Sequence, residues 1–544
     1  MSTAKYLIPL TGAIAVALFF RLQIANGFSL LFGDSYDGFI EVSILEHWNN
    51  VLHGFSSWHR TLSLYPEENG LSFNDGYFLF GLIYSVFRLF HVDPFLGGEL
   101  ANIAVRAIGF FAFYAACRRI LDMRLEWALA GAAVFTLCNG SYVSMDHAQF
   151  LTVCFVPLNA ILLFRTGRAL MENDRPALLK FGASFMLFYA ACLMTGYDMA
   201  WFTFFFSIAY VLVWLALAGN ARRKQVLVSL RRQAVPVIAL LVLAALVNLP
   251  FLTLYWPMAM ASGMRTYVEA TKFSPIPLDI TNVGEGNYLW SGLNLAAYAY
   301  FEGRYPEEKG TMANGIPPLT LFLFLAATVA MWCRKGPVDD KLLVKRVLST
   351  TVLLTWALTI KYDDDFTLYD PIYNWLPGAK GVTVLVHYQL LLTIPVVALG
   401  MDFLSSLKWK WAPALLALLS FAEQFNNYHI LQLRRPEELA RLARAPQAPA
   451  ECRTFYIART EKEPWAPVDA LYRHSVDAML LAEWRRLPTI NGIDSYVPPG
   501  YDLFRPEEPA YADKVAAYAR AHGVHGLCGL DMRDHRWLPP LAEE

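Results

Sequence analysis

Apolar residues gather in long runs along this chain, near 6–26, 98–117, 126–143, 150–166, 179–196, 199–219, 234–254, 316–333, 346–361, 384–404 and 410–425. Each approaches the roughly 20 residues that a helix needs to cross a bilayer. The pattern predicts about eleven transmembrane helices, with residues 6–26 a retained first span rather than a cleaved leader. The loops between them split by charge. One set is basic: Arg118-Arg119 to Arg124, Arg165 to Lys180, Arg222 to Arg232, Arg334 to Arg346, and Lys408 to Lys410. The other set, 27–97, 144–149, 255–315 and 362–383, is acidic and aromatic. Basic loops stay cytoplasmic, so the acidic set and the C-terminus are expected outside.

One apolar run breaks the alternation. Residues 75–91 form a short stretch which, counted as a span, would put Arg118-Arg119 outside and invert every later loop. It reads instead as a surface or re-entrant helix. After about residue 425 the pattern changes again. Strand-length stretches at 454–458 and 524–530 alternate with helix-like ones at 467–485 and 509–522. The expected architecture is therefore a polytopic α-helical membrane domain, residues 1–425, with a large first outer loop (27–97). A small α/β extramembrane domain, residues 426–544, follows it.

Composition agrees with the pattern. The 544 residues are 56% hydrophobic and only 17% charged, and mean hydropathy is +0.35. A soluble chain would be about half apolar and a quarter charged. A net charge of -1 gives no sign of a nucleic-acid partner. Of seven cysteines, five lie in or beside apolar runs and read as small buried hydrophobes. Cys452 and Cys528 sit in or beside the strand-like stretches of the tail. They are either a disulfide in an oxidising compartment or two reduced thiols in a cytoplasmic one.

The candidate chemistry collects on the acidic side. The segment Gly33-Asp34-Ser35-Tyr36-Asp37-Gly38 places two carboxylates just beyond the first span, and Glu46-His47 follow at helical spacing. Asp75, Asp146-His147, Gln149, Asp198, Arg265, Lys272, Asp279, Lys361 and His387 lie in or beside the other outer loops, and Asp363-Asp364-Asp365 reads as an exposed loop. Carboxylates can deprotonate an acceptor hydroxyl, and cations or histidines can hold a phosphate leaving group. Asp146-His147, at the tip of the shortest outer loop, suits structural hydrogen bonding or catalysis. Arg106 falls inside the second span, where an unpaired guanidinium is costly. It is expected in an internal ion pair or on a ligand.

Several of these stretches resemble the GT-C superfamily of membrane glycosyltransferases, and most of all a bacterial group of uncharacterised GT-C-like proteins. They are Gly33-Asp34 to Asp37 with Ile44-Leu45-Glu46-His47, Asn74-Asp75-Gly76 with Asp93-Pro94-Phe95, and His147-Ala148-Gln149-Phe150-Leu151. Phe273-Ser274-Pro275 with Asp279, Leu376-Pro377-Gly378, Asp477-Ala478-Met479 and Pro488-Thr489-Ile490-Asn491-Gly492 complete the series. The order and spacing cover nearly the whole chain. The resemblance implies an inverting transferase in the bacterial inner membrane with its active face periplasmic. Its donor would be a polyprenyl-phosphate sugar, its acceptor a glycan or glycolipid, and its surroundings membrane lipid. Asp34 is the implied base, with Asp37 next. Glu46, His47, Asp75, Arg106, Asp146 and His147 are substrate-binding candidates. Related sequences tend to carry an arginine after the Pro-Gly segment where this chain has His387, so Arg265, Lys272 or Lys361 are alternative phosphate ligands. GT-C enzymes differ in metal use, which leaves a divalent metal open. Two rival readings make other demands. A flippase of lipid-linked glycans needs polar residues running through its spans. A noncatalytic glycan-binding scaffold does not need Asp34.

Overall fold

The computed structural model describes residues 2–306, 309–363, 366–409, 411–461 and 467–541. Asp364, Asp365 and Lys410 lie outside the described residues. Each apolar run folds as helix, because a backbone in lipid must satisfy its own polar groups. The helices differ in length. Six helices among the described residues have the length and apolarity: Pro94–Arg119, Ala148–Met171, Arg175–Leu193, Tyr197–Leu217, Asp340–Thr359 and Leu385–Ser406. A seventh arises if Gly219–Arg232 and Ala234–Val247, bent by 79°, count as one span. Other runs give shorter helices, such as Lys5–Phe19, Pro318–Cys333 and Ala412–Ala422, or are interrupted, as at Cys138 between Leu125–Leu137 and Asn139–Val143.

The loops sort to two poles. At one, the basic loops meet: Lys341 bonds Asp122 at 2.6 Å, Lys345 bonds Asp402 at 2.7 Å and Arg222 bonds Asp340 at 2.9 Å. At the other, the acidic loops meet one another, as set out below. Between the poles, on the basic side, an apolar cluster including Phe110, Phe113, Phe135, Leu323 and Met401 fills the bundle. The helix Phe78–Leu89 has 12 residues, about 18 Å of length, too little to cross. It buries Phe80, Gly81, Tyr84 and Ser85 and packs on Asp37–Leu52 and Pro94–Arg119.

The tail carries a three-stranded sheet. Thr454–Arg459 pairs in parallel with Leu527–Asp531, which pairs antiparallel with Arg536–Pro540. Cys452 and Cys528 are joined in a disulfide, Cα to Cα 5.5 Å. The tail does not stand apart from the membrane bundle. Leu30–Leu31 pairs with Leu433–Arg434, and one continuous core contains Phe39, Val42 and Leu45 together with Val476, Met479 and Leu480.

A buried set of charges locks this junction. Arg441 bonds Glu438 at 2.8 Å and grips both oxygens of Asp477 at 2.7 and 2.6 Å. Arg473 bonds the same Glu438 oxygen at 2.6 Å and donates to the Ser35 carbonyl at 3.0 Å. Both guanidiniums lie over the Phe39 ring, at 5.7 and 5.0 Å. Burial pushes the Asp477 carboxyl up, and the two arginines more than reverse this, holding it below the usual carboxylate range. Its contribution to stability is therefore full above the unfolded value of about 3.9 and fades only as pH falls through the lower folded value. Asp477→Asn leaves buried guanidinium charge uncompensated and is expected to cost about 3–5 kcal/mol. Denaturant unfolding of the detergent-solubilised protein at pH 7 measures this, and an unchanged midpoint would refute it.

Candidate functional site at the acidic pole

The acidic loop is shaped before it is charged. Gly33 adopts φ +79°, and its carbonyl accepts from the Gln432 amide at 3.0 Å. Asp34 Oδ1 accepts from the amides of Tyr36 and Asp37, both at 2.8 Å. It thus satisfies donors left over at the start of the helix Asp37–Leu52. With Arg473 on Ser35, every residue from 33 to 35 is fixed by a hydrogen bond.

That arrangement presents Asp37 at the first turn of the helix, where the helix dipole favours a carboxylate. Asp37 Oδ2 lies 3.6 Å from His147 Nδ1, and both side chains are a little over one-third exposed, at 38% and 37%. Burial pushes the Asp37 carboxyl up to about 6, against the pull of His147 and with the help of Asp34 and Asp146. Burial also raises Asp146, which His147 opposes. His147 meets the edge of Phe150 at 6.0 Å, and Phe150 lies 3.8 Å from the ring of buried His387. The loops 27–97 and 144–149 and the start of the helix at 388 therefore converge here.

Sequence reading passed over two members of this cluster. Glu41 is one turn below Asp37, and burial holds its carboxyl well above the usual range. Tyr77 lies within the fields of Glu41, Asp75 and Asp37 and donates to Gln149 Oε1 at 2.6 Å. The signal for Glu41 was its i, i+4 spacing from Asp37.

Through Tyr77 the cluster continues to a second group. Asp75 Oδ1 accepts from the Tyr197 amide at 2.8 Å, and burial pushes its carboxyl up to about 6. Asn74 bonds Asp494 of the tail at 2.8 Å, and burial brings Asp494 up to about 7. Asp198 lies in the fields of both Asp75 and Arg265. Arg265 stacks on Tyr496 of the tail at 4.7 Å, and its amide donates to the Lys380 carbonyl at 3.2 Å. The Pro-Gly segment is clipped to the helix Tyr197–Leu217: Tyr197 Oη donates to the Gly378 carbonyl at 2.7 Å and Trp201 Nε1 to that of Pro377 at 3.0 Å. A Cβ at residue 378 would stand 2.5 Å from Tyr197 Oη, and φ there is +86°. Only glycine fits such a position.

The other candidates lie among protein partners. Buried Glu46 pairs with Arg88 at 2.8 Å and accepts from Tyr84. Buried His47 is held between the Trp58 carbonyl at 3.2 Å and Glu483 of the tail at 3.5 Å. Lys272 lies over Phe273 at 4.6 Å, and the Phe273 carbonyl accepts from the Val386 amide, beside His387. Lys361 begins a short strand and donates its amide to the Pro275 carbonyl at 2.8 Å. Arg106 makes no ion pair among the described residues. Fully buried, it donates to the carbonyls of Thr136 at 2.8 Å and Phe135 at 3.0 Å and stacks on Phe19 at 4.5 Å. It satisfies carbonyls freed where the helix Leu125–Leu137 stops short. Among the described residues no group of three or more His, Cys, Asp or Glu side chains is set to hold a metal ion.

No family model and no curated protein matches the chain. Solved structures do resemble it. The oligosaccharyltransferase of Archaeoglobus fulgidus in its apo form is 12% identical with a TM-score of 0.48, over 90% of this chain and 65% of that one. The chain thus spans about two-thirds of the archaeal protein's length. ArnT from Cupriavidus metallidurans in the apo state is 13% identical with a TM-score of 0.37, over 91% of this chain and 87% of that one. The same protein bound to undecaprenyl phosphate is 13% identical with a TM-score of 0.34, over 89% and 85%.

Arg106→Leu removes the side-chain donor of the Thr136 carbonyl, which costs about 1–3 kcal/mol when left unpaired, while the Phe135 carbonyl keeps the Cys138 amide at 3.2 Å. A lower unfolding midpoint in detergent is the expected result. An unchanged midpoint with lost ligand binding would restore the ligand role.

Proposed function

We propose that this chain is an integral-membrane glycosyltransferase. It moves a sugar from a polyprenyl-phosphate donor to a glycan or glycolipid acceptor, with inversion. The observation that carries this reading is the partly exposed Asp37–His147 pair. It lies at the pole where four loops from distant parts of the sequence converge, with Arg265 in the adjoining group. The acceptor oxygen attacks the anomeric carbon as Asp37 takes its proton. The carbon–oxygen bond to phosphate breaks, and the phosphate leaves on its lipid carrier. His147 balances the charge on Asp37, and Arg265 is the cation offered to the phosphate. Asp34, whose Oδ1 is committed to two amides, acts by shaping the loop, so the order of the two carboxylate candidates is exchanged.

The sidedness supports a multi-pass protein of the bacterial inner membrane with the acidic pole in the periplasm. Basic loops share the opposite pole, and a disulfide in the tail suits an oxidising compartment. A flippase would need a polar route through the bundle, yet the half toward the basic pole is packed with apolar side chains.

The direct test is incubation of purified protein with radiolabelled polyprenyl-phosphate sugars and scoring of label transferred to glycan or glycolipid acceptors. No transfer from any donor would count against the reading. Asp37→Asn should lower transfer by about 10²-fold or more, while turnover equal to wild type would remove Asp37 as the base. A carboxyl at about 6 is protonated below that pH. Since only the carboxylate can accept a proton, kcat/KM should fall as pH drops through about 6, with a limiting tenfold loss per unit. A flat profile between pH 5 and 7 in wild-type enzyme would exclude this assignment.

A further inference from the structure

One helix of the outer loop is built inside out. Ser291–Phe301 buries Asn294 and Tyr298. Their polar groups are used inward, Asn294 on Asn282 at 2.8 Å and Tyr298 on Asp279. Asp279 in turn bonds the Ile276 amide, and its carbonyl accepts from Gln389, two residues from His387. The outward face is apolar: Leu293 is 60% exposed, Tyr300 81% and Phe301 68%, with Ala296 and Ala299 between them. No charged residue occurs from Gly286 to Phe301. The same chain builds an ordinary amphipathic helix where water is its neighbour. Tyr511–His522 buries Tyr511, Val515 and Ala519 and exposes Asp513 and Arg520.

An outward apolar face of this kind has a cost in water. Its position names the solvent that removes that cost. The segment leading into the helix is stitched to the outer end of the apolar helix Ala412–Ala422. The Tyr288 amide donates to the Phe425 carbonyl at 3.2 Å, Asn287 to the Glu423 carbonyl at 2.8 Å and Trp290 to the Glu423 carboxylate at 2.9 Å. That helix carries exposed Leu415, Leu418 and Leu419. Tyr288 and Leu289, also exposed, continue this surface onto Leu293, Tyr300 and Phe301. At 11 residues the helix is about 16 Å long, too short to span. Tyrosine and tryptophan favour the level of the lipid headgroups.

We infer that Ser291–Phe301 lies in the outer leaflet of the membrane, its apolar face among lipid chains and its polar face on the Asp279–Asn282 loop. The inference rests on the membrane reading of the chain and is independent of glycosyl transfer. The partner is the lipid surface itself, rather than a second copy of the chain or another protein.

Spin labels settle the matter. Single cysteines replace Leu293 and Tyr300, with Leu418→Cys as the lipid-facing reference and Lys335→Cys as the aqueous one. Exposed Cys333 is first changed to serine. The intact protein is reconstituted in phosphatidylcholine–phosphatidylglycerol vesicles, and each label is relaxed by oxygen and by a water-soluble nickel chelate. Labels at 293 and 300 should follow Leu418, with oxygen collisions exceeding those with nickel. A nickel-dominated response like that at 335 would place the helix in water and overturn the inference. Low access to both reagents would mean that protein covers the face, and would overturn it equally. Substituted sites are exposed, and an elution profile matching wild type checks that the fold survives labelling.

Discussion

The four-membered charge cluster of Arg441, Asp477, Arg473 and Glu438 is the constraint on which the acidic pole depends. Ion pairs of this kind are weak sources of net stability, because desolvation consumes most of the Coulombic gain. What they supply is direction. Arg473 donates to the Ser35 carbonyl while its other nitrogens face Glu438 and Asp477. The aromatic ring of Phe39 offers both guanidiniums a surface that no water can share. The loop that carries Asp34 and Asp37 is thereby referenced to a rigid point in the tail, over 400 residues away in sequence.

The membrane character of the chain was legible because lipid imposes a simple rule: apolar side chains outward and backbone bonds satisfied within the segment. Helix positions followed from the runs. The breaks within them did not, because composition does not reveal where a run is interrupted. Cys138, Gln233 and Asn248 each sit at a break between helices that an apolar average passes over. Arg106 shows how such a break is tolerated. A charge in a span signals function by default, yet here its donors go to the carbonyls that the break releases.

The candidate site was legible as a pole more than as a set of roles. The alternation of basic and acidic loops placed Asp37, Asp75, His147 and Arg265 on one side, and the structure brings them into two adjoining groups. Charge alone could not separate Asp34 from Asp37, since their difference lies in which backbone amides the loop turns toward a carboxylate. Nor could it show the partners of Glu46 and His47, since Arg88 and Glu483 are distant in sequence. Glu41 offered only its i, i+4 spacing from Asp37, and Tyr77 stayed hidden because a single phenol in apolar surroundings carries no pattern until a fold gives it neighbours.

The contact between Ser35 and Arg473 also sets an order of assembly. A ribosome delivers the acidic loop over 400 residues before the Arg473 that fixes it. Strand Leu30–Leu31 likewise waits for Leu433–Arg434, and the Arg265 stack waits for Tyr496. A nascent chain halted after Ser406 has both carboxylates and the helix Leu385–Ser406, but neither the brace behind the loop nor the aromatic face beneath the cation. The pole becomes complete only once Tyr496 has been added.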